Sequence, residues 1–187
     1  YVNTNLVTDG SDTDPRSNHV VNTNPEYITY EWNNGNPVRQ NISEDPDGIW
    51  LDPGLPEVRL LHANICADIV QNYDVDGILI DRQRYPDTRF IRTEGDFGYH
   101  PDVIDEFNRL TGKTGIPDPF DVDWQQYRRD QNTAAMQLIY STDTALDPNV
   151  LVLAIPIGRF DDAVNFNYQD WPTWMENRVV DAVFPQI

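Results

Sequence analysis

Four short and almost continuous apolar runs constrain the fold of this chain more than any other feature of its sequence. They lie at residues 1–7, 77–80, 150–155 and 179–187. A run that is apolar on both sides of the chain is typical of a strand in a parallel sheet whose two faces are both covered. The sequence therefore predicts four strands of a parallel sheet.

Helical periodicity occupies the stretches between these runs, where apolar side chains recur at steps of three and four. The predicted helices cover residues 56–72, 101–111, about 123–140 and a shorter stretch around 169–177. Pro56 suits the first turn of the first helix, and Gly112 suits the end of the second. Asp121 or Asp123 suits the N-cap of the third.

Alternating strands and helices predict an α/β fold with a parallel sheet, either a barrel or a doubly wound sheet. No G-x-G-x-x-G or G-x-x-x-x-G-K-[ST] motif follows a predicted strand, which removes the main signals for nucleotide binding and favours the barrel. A complete (β/α)8 TIM barrel needs about 200 residues or more. We therefore expect residues 1–187 to form one domain that is an incomplete segment of such a barrel, truncated at both ends.

Composition limits the partners of this domain. The formal net charge of −18 argues against a nucleic-acid or anionic-membrane surface. No apolar run approaches the roughly 18 residues of a transmembrane segment. Cys66 is the single cysteine, expected as a small buried side chain, and no metal-ligand spacing is found, so neither a metal nor a cofactor is predicted. The oligomeric state is left open.

Ligands of parallel α/β folds bind at the carboxyl ends of the strands. Asp81 directly follows the run 77–80, so its carboxylate is expected in the mouth of the sheet. Its alternative roles are to cap the next turn or to pair with a neighbouring arginine. Four of the thirteen cations lie in the loop that follows: Arg82, Arg84, Arg89 and Arg92. These arginines either neutralise acids of the same loop or recognise a carboxylate of the substrate.

Other polar and aromatic residues are divided between this mouth and the body of the fold. Residues 8–47 form a long polar stretch that we expect to be a functional wall. Loop aromatics are candidates for stacking on sugars: Trp32, Trp50, Tyr85 and Tyr99. Trp124, Trp171 and Trp174 are expected in the core. His100 is expected to cap a helix or turn, with proton transfer as the alternative, and Arg128 and Arg129 are expected to pair with acids outside the barrel.

Several motifs together resemble one known family. They are IWLDPGLPEVR at 49–59, YDVDGILIDRQRYP at 73–86, WQQYRRDQ at 124–131, VVDAVFPQI at 179–187 and NPEYI at 24–28. The first four look like consecutive blocks of the family 10-like glycosyl hydrolases, TIM-barrel proteins of bacterial envelopes, and NPEYI resembles the family's segment after an early strand. Many members carry two adjacent acids where this chain has Asp81 followed by Arg82.

The resemblance implies a glycoside hydrolase that acts on a bacterial polysaccharide or oligosaccharide, with peptidoglycan glycan strands favoured. It implies Asp81 as the catalytic nucleophile or charge stabiliser. Candidates for holding sugar hydroxyls or carboxylates are Asn3, Asp52, Arg84, Tyr85 and Gln186; the alternative for Asp52 is a turn at the entry to the helix 56–72. It also implies a secreted, periplasmic or envelope-associated protein.

Two carboxyl groups normally flank the scissile glycosidic bond. The second acid stays open between Asp161, Asp162, Glu94 and residues beyond this sequence. The alternative function is a non-catalytic carbohydrate-binding barrel that has lost one of the two acids, and a third is a purely structural domain.

Overall fold

The computed structural model describes residues 1–8, 14–41, 48–88 and 95–186. Arg89, Arg92 and Glu94, named above, lie outside the described residues. The strands are β1 (Val2–Asn3), β2 (Tyr30–Asn33), β3 (Asn36–Arg39), β4 (Gly77–Asp81), β5 (Gly95–Phe97), β6 (Leu151–Ile155) and β7 (Ala182–Val183). The α-helices are α1 (Val20–Thr23), α2 (Pro56–Asn72), α3 (Pro101–Thr111), α4 (Val122–Leu146), α5 (Phe160–Phe166) and α6 (Trp171–Glu176), and a short 3-10 helix covers Pro25–Tyr27.

A parallel sheet of four strands forms the body of the described fold, in the order β1-β4-β6-β7. The order of these strands in the sheet is the same as their order along the chain. A doubly wound sheet, by contrast, reverses its strand order at a switch point. The α/β class with a parallel sheet is confirmed, and the strand order is compatible with part of a TIM barrel. The closed barrel stays a prediction.

The two long crossover helices, α2 and α4, pack against each other and cover the sheet. Ile78, Ile80 and Val152 from the strands are buried in a core that also takes in Met136 and Ile139 of α4. Cys66 of α2 is fully buried there, as predicted. Apolar faces of both helices thus meet the continuous apolar strands, which is the reason that those strands carry so few polar residues.

The predicted helices 56–72 and 101–111 have the bounds of α2 and α3. Pro56 occupies the first turn of α2, and Gly112 ends α3 with a left-handed φ of 73°. Helix α4 is capped by Asp121, whose side chain accepts from the amides of Asp123 and Trp124, but it runs on to Leu146. The last turns beyond the predicted end at residue 140 include the buried Asp143.

A second, antiparallel sheet in the order β3-β2-β5 lies within the segments that follow β1 and β4. Strand β2 belongs to the segment after β1, and β5 to the segment after β4. The backbone of Leu51 also donates to Asn5, just past β1, at 2.8 Å. The loops at the carboxyl ends of two neighbouring parallel strands are therefore joined into one layer.

This layer gives the polar stretch 8–47 a definite structure in its described part. Strands β2 and β3 form a hairpin whose turn, Asn34 and Gly35, has φ values of 47° and 92°. Two positive φ values are characteristic of a type I′ turn, for which Asn-Gly is the preferred sequence. None of the helices in residues 1–8, 14–41, 48–88 and 95–186 combines the length and apolar character that crossing a bilayer requires.

Candidate active site

Asp81 ends β4, and its carboxylate is held by several donors at the mouth of the parallel sheet. The backbone amide of Arg82 donates to Oδ1 at 2.7 Å, and Nε2 of Gln186 donates to the same oxygen at 3.4 Å. The hydroxyl of Tyr1 donates to Oδ2, and Nε of Arg82 lies 3.7 Å from Oδ2. Within the part of the chain that the structure describes, the Asp81 oxygens are thus held by three hydrogen-bond donors and one cation.

Three of the six predicted site residues come together here. Asn3 is the register partner of Asp81 on the neighbouring strand β1. Gln186 reaches the carboxylate from beyond β7, where it forms a parallel bridge with Ile157. The hydrogen bond to Asp81 is the main cause that raises the pKa of Tyr1. The expected convergence of strand ends is thus present, and the predicted pairing of Asp81 with a neighbouring arginine is also seen.

Asp52 and Tyr85 lie inside the loop layer, away from the Asp81 carboxylate. Both are completely buried, and the Tyr85 hydroxyl donates to Oδ1 of Asp52 at 2.9 Å. The hydroxyl of Thr29 donates to Oδ2, and the amide of Gly54 donates to Oδ1, each at 2.9 Å. Burial and the nearby carboxylate raise the pKa of Tyr85 well above its ordinary value. The two side chains join the loops after β1 and β4, and their contact with a substrate stays a prediction.

Arg84 is also buried, with 6% of its surface exposed. Its guanidinium carbon lies 4.9 Å from the centre of the Trp50 ring, and NH1 donates to the carbonyl of Tyr85 at 3.0 Å. This cation–π contact holds Arg84 inside the loop layer rather than in open solvent. Recognition of a substrate carboxylate by Arg84 stays a prediction.

The structure corrects the prediction made for the aromatic residues of the loops. Trp50, Tyr85 and Tyr99 were expected to stack on sugars, but no more than 4% of any of them is exposed. Tyr99 packs with residues of α2, α3 and α4, Tyr85 packs with Phe97 and Tyr168, and Arg84 lies over the Trp50 ring. Trp32 is half-buried in β2. Trp124 and Trp174 lie in the core as predicted, and Trp171 packs at its edge.

A sequence model of the family described as "Glycosyl hydrolase-like 10" matches residues 11–187. The chain belongs to this glycosyl hydrolase-like family. It is also 26% identical over 163 residues to proteins called "Glycosyl hydrolase DigH" from Escherichia coli K12, Escherichia coli O157:H7 and Shigella flexneri. The match takes in 80% of this chain and 34% of each relative, so the chain spans about a third of the length of these curated relatives.

Family membership confirms the predicted resemblance and supports a glycosidase-like role with a carbohydrate substrate. The candidates for the second catalytic carboxylate of this glycosyl hydrolase-like chain lie in different surroundings. Asp161 is exposed in the first turn of α5, whereas Asp162 is buried and lies 3.3 Å from Nε of Arg159. Glu94 lies outside the described residues. The described ranges contain no cluster of three side chains suited to hold a metal ion.

Sequence analysis missed a buried ion pair of this glycosyl hydrolase-like chain. Arg128 was expected on the outside of the barrel, but it is fully buried, and NH1 lies 2.8 Å from Oδ2 of buried Asp96. The same nitrogen donates to the carbonyl of Phe97 at 2.7 Å. The guanidinium carbon lies 3.8 Å from the centre of the Tyr168 ring, whose hydroxyl donates to Asp96 at 2.8 Å. Arg128 therefore ties α4 to the loops after β4 and β6.

His100 was expected as a helix cap or as a proton-transfer group. Its Nδ1 accepts from the amide of Asp102 at 3.2 Å and caps the N-terminus of α3. The ring also makes an edge contact with Tyr30 at a centroid distance of 5.0 Å. The capping prediction is therefore confirmed, and the cap links α3 to strand β2.

Proposed function

We propose that this chain is part of a glycoside hydrolase in which Asp81 is the catalytic nucleophile or charge stabiliser. The substrate is a bacterial polysaccharide, with peptidoglycan glycan strands as the favoured case. The observation that carries the proposal is the position of the Asp81 carboxylate, at a strand's carboxyl end and held by donors from three segments. Asn3 and Gln186 are proposed to contact sugar hydroxyls beside it.

Family membership and the strand-end geometry support this assignment from independent directions. Glycosidases of this general kind bring a carboxylate to the anomeric carbon, where positive charge develops in the transition state. A carboxylate that hydrogen bonds already hold in place meets that charge with little reorganisation. Arg84, Asp52 and Tyr85 are proposed to shape the site from inside the loop layer.

The test is hydrolysis of purified peptidoglycan glycan strands by the full-length protein. The rate is measured from the reducing ends that hydrolysis releases. We expect Asp81→Asn to lower the rate by about 10²-fold or more, the scale on which a positioned carboxylate contributes. Asp74→Asn is the matched control, because Asp74 is exposed and lies at the opposite end of β4. Equal turnover by Asp81→Asn and the wild type would exclude Asp81 from catalysis.

A non-catalytic carbohydrate-binding domain is the second candidate, favoured by one observation. Asp162, a predicted second acid, is buried and paired with Arg159 rather than open at the mouth. This candidate predicts that wild type and Asp81→Asn both bind glycan strands in a pull-down and that neither releases reducing ends. A protein that binds no glycan at all contradicts both candidates.

The proposed substrate requires a secreted, periplasmic or envelope-associated protein. Fractionation of cells that produce the full-length native protein tests this location. Recovery from the envelope, periplasm or medium agrees with it, and recovery from the cytoplasm alone contradicts it.

A further inference from the structure

The segment directly after Asp81 has an unusual backbone that needs support. Arg82 has a left-handed φ of 60°, and this turn aims its amide at the Asp81 carboxylate, 2.7 Å away. A non-glycine residue in this region is strained and persists only where its surroundings enforce it. The orientation of the Asp81 side chain therefore depends on whatever fixes residues 82–85.

One buried amide provides much of that support. Asn132 of α4 is fully buried, and its Oδ1 accepts from Nε2 of Gln83 at 3.1 Å. Its Nδ2 donates to the carbonyl of Tyr168 at 2.8 Å. Tyr168 is itself left-handed, with a φ of 53°. A single side chain thus holds two strained loops, one after β4 and one after β6.

The two loops are also joined directly to each other. Nε2 of Gln169 donates to the carbonyl of Gln83 at 3.3 Å, and the amide of Tyr85 donates to the carbonyl of Asn167 at 3.1 Å. Gln83 is 1% exposed, so its hydrogen bonds are shielded from water. A buried side-chain amide that lacks its hydrogen bonds is costly, so these hydrogen bonds favour one arrangement of the two loops over others.

We propose that Asn132 is a positioning residue for Asp81: through Gln83 it fixes the left-handed Arg82 and so orients the Asp81 carboxylate in the mouth of the sheet. The inference about catalysis rests on the proposed function, whereas the inference about loop geometry does not. Asn132 does not contact the proposed substrate, and it acts only through the residues that follow Asp81.

The first test is amide hydrogen exchange in Asn132→Leu, which keeps the size of the side chain and removes both hydrogen bonds. We expect the amides of Arg82, Arg84 and Tyr85 to exchange about tenfold faster or more, while those of α2 stay protected, because the loop opens locally. Asn64→Leu is the control, since Asn64 is exposed on α2. Unchanged loop exchange, or equal acceleration throughout the chain, overturns the proposal.

The second test is steady-state hydrolysis of glycan strands by the full-length protein. A misplaced carboxylate should lower kcat by about 10²-fold and leave KM within about twofold, because orientation acts on the chemical step. Asn64→Leu should match the wild type. A rise in KM with unchanged kcat contradicts the positioning role.

Gln83→Met removes the same hydrogen bond from the loop side and keeps the test valid should Asn132→Leu fail to fold. The double variant should be no slower than Asn132→Leu alone, since the hydrogen bond that Gln83→Met removes is one of the two that Asn132→Leu removes. Additive losses contradict the proposal. A wild-type protein that hydrolyses no glycan refutes the proposed function, while the exchange result still decides the role of Asn132.

Discussion

A charged side chain that is fully removed from water has to find its compensation inside the protein, and Arg128 shows how this chain provides it. Its guanidinium is paired with Asp96 and lies against the face of Tyr168. Asp96 is held in turn by the Tyr168 hydroxyl and by the amide of Phe97. Each charge in this cluster is therefore stabilised only while its partner is present.

At this scale we predict that Asp96→Asn destabilises the protein by about 3–5 kcal/mol, because it leaves the buried Arg128 charge without its counter-ion. Urea unfolding followed by circular dichroism measures the change in the free energy of unfolding. Asp102→Asn is the control, since the Asp102 side chain is 80% exposed. A loss no larger than that of the control would show that the pair contributes little.

Single residues differ in how far the sequence reveals their place. Asp81 was predictable, because a strand's carboxyl end is a local feature that fixes where the next residue lies. The burial of Asp52, Tyr85 and Arg128 was not, because each is enclosed by segments that are distant in sequence. Charge and loop position normally signal exposure, and only the tertiary pairing of these residues overrides that rule.

Gly98, directly after β5, lies where strand β5 packs closely against its neighbours. Gly98 follows β5 with a φ of 93°, and an added Cβ would lie 2.8 Å from Cε1 of Tyr85 and 2.9 Å from Cδ of Arg128. Both neighbours are buried. The close approach of β5 to α4 and to the loop after Asp81 therefore requires a glycine here.

We predict that Gly98→Ala costs clearly more stability than Gly35→Ala, by about 1–3 kcal/mol, the typical penalty of overpacking. Gly35 is a matched control, because its φ of 92° carries the same backbone strain while an added Cβ meets nothing within 4 Å. Thermal or urea unfolding of the two variants gives the difference. Equal losses would show that backbone strain alone decides both.

The long helices were predictable, whereas the short helices α1 and α5 and the second sheet were missed. Periodicity, Pro56 and Gly112 are local signals, and α2 and α3 obey them. The Asn34–Gly35 turn was a readable hairpin signal within a stretch otherwise taken as a polar loop. Strand β5 has only three residues, and its extended form comes from pairing with β2, which no local pattern encodes.

For the molecule as a whole, two buried titrating groups on the packed helices α2 and α4 oppose each other. Burial lowers the pKa of His62 from 6.5 to about 4, and burial raises the pKa of Asp143 from 3.8 to about 6. As the pH falls from 6.5 to 4, the unfolded chain protonates at His62 first, so stability decreases. Over nearly the same pH range Asp143 binds a proton more tightly in the folded chain than in the unfolded chain. This group alone therefore makes the protein more stable as the pH falls.

We predict that Asp143→Asn raises the free energy of unfolding above pH 7 by up to about 3 kcal/mol, the equivalent of this pKa shift. The advantage should shrink as the pH falls from 6 towards 3.8 and vanish about one pH unit below 3.8, where Asp143 is protonated in both states, so the variant loses stability more steeply than the wild type over this range. Urea unfolding at several pH values measures this. Asp130→Asn, an exposed change on the same helix, is the control, and a pH-independent gain would contradict the prediction.

The order of the parallel strands has a consequence for how the chain is made. Since each strand pairs with its predecessor in the sheet, none has to be inserted between two that are already joined. A ribosome delivers the chain from its amino end, and domains begin to form while synthesis continues. Each of the strands β4, β6 and β7 therefore emerges after the strand with which it pairs. The sheet can thus grow at one edge, from β1 towards β7, in the order of translation.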